Sequence, residues 1–123
     1  MKFILDTSYW IEFFKVKQPV FSTVQNLLED QNVIALSFVF GELMQGCKFK
    51  KEMKIIFQYW ESLPKINETN VWIDAGNYSF KHSLINKGVG IIDAAILVTS
   101  LQSNAQILTL DKKLLSHIDE IGK

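Results

Sequence analysis

Three short apolar runs do most to limit the fold of this chain. They are Phe3-Ile4-Leu5, Val33-Ile34-Ala35-Leu36 and Gln106-Ile107-Leu108-Thr109-Leu110. Each is too short for a helix and is apolar on consecutive positions, so both faces of the strand it forms must be covered. Amphipathic stretches of helical period lie between them. Strands alternating with helices imply a parallel sheet packed between two helical layers. The expected architecture is an α/β fold, a three-layer α/β/α sandwich with a central parallel sheet. The 123 residues suit one domain spanning 1–123.

The order of elements follows from local signals. Strand one covers residues 2–5 and is followed by a helix over Thr7–Phe14, with Trp10, Phe13 and Phe14 inward. Residues 15–19 form a loop. Ser22-Thr23-Val24-Gln25 reads as a capping box that starts a helix running to Asp30, with Val24, Leu27 and Leu28 facing the core. After strand two, Ser37 is expected to cap a helix that runs to Gly46. A longer helix over 50–63 carries Met53, Ile56, Phe57 and Trp60 at helical spacing and ends at Pro64. Residues 65–68, centred on Ile66, suggest a short edge strand. A helix over 70–87 then has Ile73, Phe80 and Leu84 on one face and Gly88 as its stop. Residues 92–101 predict the most buried helix, because Ala94, Ala95, Ile96 and Val98 allow close packing, and Ser103-Asn104 ends it. The strand over 106–110, a short helix over 111–115 and a stub of a last strand over 118–121 complete the chain.

Composition excludes several classes. No segment reaches the roughly 20 apolar residues of a membrane span. Asp6 and Glu12 interrupt the apolar N-terminus before a signal peptide's hydrophobic region can form. Cys47 is the only cysteine, so no internal disulfide forms, which suits a cytoplasmic setting. Formal net charge is zero, and all 13 basic residues are lysines, so no basic excess announces nucleic-acid binding. Lys48, Lys50, Lys51 and Lys54 cluster, but they read first as a solvated helix face.

Four acids occupy comparable places. Asp6 follows strand one, Glu42 lies in the helix after strand two, Asp93 opens the buried helix, and Asp111 follows the last full strand. In a right-handed doubly wound topology these places share the carboxyl edge of the sheet. Asp6, Asp93 and Asp111 also have a plain structural reading as helix caps or first-turn acids. Glu42 is hardest to dismiss, because Phe38, Val39, Phe40, Leu43 and Met44 surround it in sequence. Two carboxylates about 4 Å apart repel by roughly 4 kcal/mol at an effective dielectric near 20. With no arginine to compensate, a divalent cation is the natural partner, and all-oxygen ligands select Mg²⁺ or Mn²⁺ over zinc. Thr7, Ser8 and Thr109 are placed to orient the acids or waters. His82, mid-helix, and His117 read as structural or exposed. Cys47 reads as a small buried apolar residue, and Glu12 and Asp74 read as solvated helix acids.

This pattern resembles the PIN-domain family, and within it the small VapC-type toxins. The resemblance rests on Leu5-Asp6-Thr7-Ser8, on Ser37 through Glu42-Leu43 to Gly46, on Gly90-Ile91-Ile92-Asp93-Ala94-Ala95-Ile96, and on Leu108-Thr109-Leu110-Asp111. It implies a Mg²⁺-dependent endoribonuclease, with Mn²⁺ able to substitute. Asp6, Glu42, Asp93 and Asp111 would be its catalytic acids, and Asp6, Asp93 and Asp111 its metal ligands. It further implies a type II toxin that cleaves RNA, forms a homodimer and is inhibited by a cognate antitoxin protein. Three other readings compete. One is a PIN-like RNA-binding or regulatory module with weak catalysis. A phosphoacceptor receiver domain would want neighbouring acids after strand one. An Asp-x-Asp phosphatase would want an acid where Ser8 stands.

Overall fold

The computed structural model describes residues 1–121. Its sheet has three strands, β1 (Lys2–Leu5), β2 (Val33–Ile34) and β3 (Ala105–Leu108), in the order β2-β1-β3 and all parallel. Ile4 and Leu5 are successive residues of β1, so they point to opposite faces, and both are fully buried. A strand hidden on both sides explains the unbroken apolar run. The sheet is the middle layer of an α/β/α sandwich.

One apolar cluster gathers α1 (Thr7–Phe14), α2 (Val20–Glu29), α3 (Ser37–Gln45) and α4 (Lys50–Ser62) around β1 and β2. Trp10 is its largest buried side chain and packs on Phe13, Phe14, Phe40 and Tyr59. The second cluster joins α5 (Val71–Lys81), α6 (Ile91–Ser103) and α7 (Lys112–Ile121). Ala94 through Thr99 are buried without interruption, so α6 is the central helix that its small side chains predicted. Ser103 is its last residue, and Asn104 closes it in the left-handed conformation.

Several boundaries differ from expectation, each for a local reason. Ser22 does not cap α2. Pro19 holds a φ of −84° and starts the helix itself, while the Ser22 N–H donates to Gln18 Oε1 at 3.2 Å. Ser37 is the first residue of α3, and its cap comes from elsewhere in the chain. Glu68 accepts from the Ser37 N–H at 2.9 Å and from its hydroxyl at 2.6 Å. The expected edge strand at 65–68 is a single parallel bridge between Lys65 and Ala35.

The predicted helix over 70–87 stops at Lys81. His82 is its C-cap rather than a mid-helix residue, and a separate 3₁₀ turn, Ile85–Lys87, runs up to Gly88. Gly88 has a φ of +75°. Its expected stopping role therefore falls on that turn. Of the predicted inward face only Leu84 is buried. Ile73 and Phe80 are exposed, because Val71 and Ala75 are the residues of α5 that pack inward. On α4, Ile56 is buried while Met53 and Phe57 are exposed. The stub of a last strand at 118–121 is helical. Leu114, His117 and Ile118 recur at the spacing of α7, which Asp111 caps.

Candidate functional site

The site begins where β1 ends. Leu5 pairs with Leu108 across the β1–β3 ladder, which sets Asp6 beside Thr109. The Asp6 N–H donates to the Leu108 carbonyl at 3.1 Å. The Asp6 carboxylate is buried and held from three directions. Its Oδ1 accepts from the Ser8 hydroxyl at 2.5 Å and from the Tyr9 N–H at 3.2 Å, and its Oδ2 accepts from the Thr109 hydroxyl. Asp6 is thus the N-cap of α1 as well as a wall of the cavity. β3 ends two residues earlier than expected for the same reason. The Thr109 side chain turns to Asp6, and the Leu110 N–H leaves the ladder to donate to Ser8 Oγ at 3.0 Å.

The other three acids arrive from three different elements. Glu42, on α3, is exposed, and its Oε1 accepts from the Thr7 hydroxyl at 2.7 Å. That hydroxyl is the partner the acid lacked in the sequence. Asp93 lies in the first turn of α6, which begins after Gly90. Asp111 caps α7 through the N–H groups of Lys113 and Leu114, at 2.8 and 3.1 Å from its Oδ1, and its own N–H donates to Thr109 Oγ1 at 3.0 Å. All four acids, with Thr7 and Ser8, line one open cavity of about 370 Å³. Gly90, Ile91, Ile92 and Ile96 form its remaining wall. The three isoleucines were not foreseen as lining residues. Their signal is faint, because an apolar residue at the start of a buried helix reads as core.

Electrostatics ties the four together. The Asp93 carboxyl is pushed up to about 6, first by burial and then by Asp111, Asp6 and Glu42. Asp93 has no hydrogen-bond donor among the described residues to offset that. The strand order β2-β1-β3 is what makes the acids meet. β1 has a neighbour on each side, so the chain leaves its carboxyl end at the point where the connections diverge, and a crevice forms there. Among the described residues, no three His, Cys, Asp or Glu side chains are drawn close enough to hold a metal ion as they stand. Asp6, Asp93 and Asp111 share the cavity without forming such a cluster.

A PIN-domain family model matches residues 3–121. The chain belongs to the PIN-domain family. PIN domains are generally nucleases and typically bind divalent metals. No curated protein matches the chain as a relative. Within this PIN domain the residues set aside in the sequence stay outside the acidic cavity. Glu12 and Asp74 do not line it, and Asp74 accepts from Gln102 Nε2 at 3.0 Å. Cys47 is half-buried rather than buried, and its thiol donates to the Leu43 carbonyl. Lys48, Lys50, Lys51 and Lys54 are all exposed. His82 is exposed and His117 is buried, and neither reaches the acids. No helix among the described residues is long and apolar enough to cross a membrane.

Proposed function

We propose that this PIN domain, as one nuclease domain over residues 1–123, is a Mg²⁺-dependent endoribonuclease that hydrolyses RNA phosphodiester bonds. The observation that carries the reading is the meeting of four carboxylates from four separate elements in one cavity at the carboxyl edge of β1.

The donor set fits a hard divalent cation. Every polar side chain lining the cavity offers oxygen, no nitrogen or sulfur ligand is among them, and the mutual repulsion felt by Asp93 is what a cation would relieve. Asp6, Asp93 and Asp111 would hold it, with Mn²⁺ able to substitute. When bound, such an ion lowers the pKa of a water and stabilises the leaving oxygen. The chain's own groups do the rest. Ser8 and Thr109 hold the Asp6 carboxylate against rotation, and Thr7 fixes Glu42 where it can orient the attacking water. Ile91, Ile92 and Ile96 give the cavity an apolar side opposite the acids' oxygens.

A ribonuclease assay with Mg²⁺ or Mn²⁺ tests this. Wild type should cleave RNA, and Asp6→Asn and Asp93→Asn should not; equal cleavage by all three would end the assignment. The likeness of the acid-bearing segments to VapC-type toxins further suggests the toxin of a type II toxin–antitoxin pair, acting in the cytoplasm. It would be a homodimer restrained by a cognate antitoxin protein, and the exposed Ile73 and Phe80 on α5 support a partner-covered surface. Growth arrest on induction, relieved by Asp6→Asn, is the expected sign of a toxin. One rival is a PIN-like RNA-binding module with weak catalysis, against which the presence of all four acids in one cavity argues. RNA binding without metal-dependent cleavage would establish it.

A further inference from the structure

A second pocket, of about 280 Å³, lies on the other side of the Gly88–Gly90 segment and has the opposite chemistry. It is lined by Lys87, Lys112, Lys113, Ser116, His117 and Glu120. Three of the 13 basic residues of an uncharged protein meet there, against one acid. His117 is only 3% exposed, yet among the described residues its Nδ1 has no hydrogen-bond partner. Its other nitrogen, Nε2, lies 2.9 Å from the Tyr78 hydroxyl, for which no other acceptor exists among the described residues. Where the hydroxyl donates, Nε2 is the acceptor. In a neutral imidazole the proton then sits on Nδ1, as a buried donor without an acceptor. Burial, Lys87 and His82, in that order, lower the His117 pKa and favour this neutral form, while Glu120 opposes them. A buried donor without an acceptor is costly, and an anion supplies what it lacks.

Glu120 shows where an anion would sit. Its Oε2 is 3.2 Å from Lys87 Nζ and 3.8 Å from His117 Nδ1, beyond hydrogen-bond range of the ring. An exposed carboxylate thus hovers over the site without satisfying it. Serine, lysines and an imidazole N–H together match the oxygens of a phosphate. The pocket also adjoins the acidic cavity through two chain segments. Asp111 and Lys112 are consecutive, and Gly90 lies three positions after Lys87, a reach of at most about 11 Å.

We propose that this pocket is a phosphate-binding subsite that grips a backbone phosphate of the RNA strand whose neighbouring linkage lies in the acidic cavity. The assignment of the strand rests on the nuclease reading. Binding of the phosphate itself does not, so the test omits cleavage. The ¹⁵N signals of His117 and of the lysine ammonium groups are followed in EDTA while inorganic phosphate or a short single-stranded oligoribonucleotide is added. Both ligands should shift His117 Nδ1. Lys113→Gln and Lys87→Gln should each weaken oligoribonucleotide binding about tenfold. Glu120→Gln should strengthen it, because it removes the competing carboxylate. Lys17→Gln, an exposed lysine outside the pocket, should change it far less. An oligoribonucleotide that binds without shifting His117 overturns the proposal. So does a loss in Lys17→Gln equal to that in Lys113→Gln, which would mean diffuse charge attraction. A shift with inorganic phosphate alone overturns the strand assignment. If the His117 responses appear but no condition gives RNA cleavage, the nuclease reading fails and the phosphate site stands.

Discussion

Asp6 and Asp93 face one cavity and are held in opposite ways. The corner between β1 and α1 is cross-braced. Two hydroxyls and a backbone N–H fix Asp6, and one of the hydroxyls comes from a residue 103 positions away. The start of α6 offers no such bracing. Asp93 meets only burial and three like charges, and its carboxyl rises to about 6. One acid is a structural post, and the other is a charge held against its own preference. The same pocket thus contains a group that stabilises the fold and a group that burdens it. This is the signature expected where function is bought with stability.

The contrast can be broken most directly by removing each acid in turn. Asp6→Asn and Asp93→Asn should both lower the RNA-cleavage rate by about 10²–10³-fold or more, the scale of losing one main stabiliser of developing charge. A difference of more than a few-fold between them would show that only one acid serves the chemistry. Stability should separate them next. Asp6→Ala removes an N-cap and leaves Ser8 and Thr109 without their acceptor, so urea unfolding should show a loss of about 2–3 kcal/mol.

Asp93→Asn should instead stabilise the protein in EDTA at neutral pH. A rise from 3.8 to about 6 is worth roughly 3 kcal/mol undamped, and solvent at the half-exposed carboxylate reduces this to about 1–2 kcal/mol. The sign fixes the pH window. A raised carboxyl contributes stability that is fully present below pH 3.8 and is lost as pH rises through about 6. The advantage of Asp93→Asn should therefore grow between pH 4 and 6, then level off. Equal Tm differences at pH 4.5 and pH 7.5 would contradict the electrostatic origin. Added Mg²⁺ or Mn²⁺ should raise the Tm of wild type and remove most of this gap.

Smaller effects test the bracing itself. Thr109→Val keeps the shape and removes the hydroxyl to Asp6, which should cost about 1–2 kcal/mol and several-fold in cleavage rate. Glu68→Gln removes a charge from the start of α3, far along the chain from the acids. It should cost about 0.5 kcal/mol and leave cleavage nearly unchanged.

Much of this was open to reading from the residues. The three apolar runs, their alternation with helices and the burial of α6 follow from side-chain period, which acts over a few neighbours. The places of Asp6, Glu42, Asp93 and Asp111 relative to those elements follow from the same signals. What failed were features set by distant partners. Ser37 looks like a cap, but the cap is Glu68, 31 residues on. Ile73 and Phe80 look like a core face, but Val71 and Ala75 are the buried residues of α5, and Ala75 packs in the cluster with Ala94 and Ala95 of α6. His117 looks incidental, and only the packing of α5 against α7 buries it beside Tyr78.

The amino-acid sequence by itself determined the fold class, the three core strands and the places of the four acids along the chain. The tertiary structure decided that they meet. Strand order and the register that sets Leu5 against Leu108 depend on contacts a hundred residues apart, and no local pattern encodes such pairing. That pairing brings four carboxylates from separate elements into one cavity in which Asp93 feels the charge of the other three.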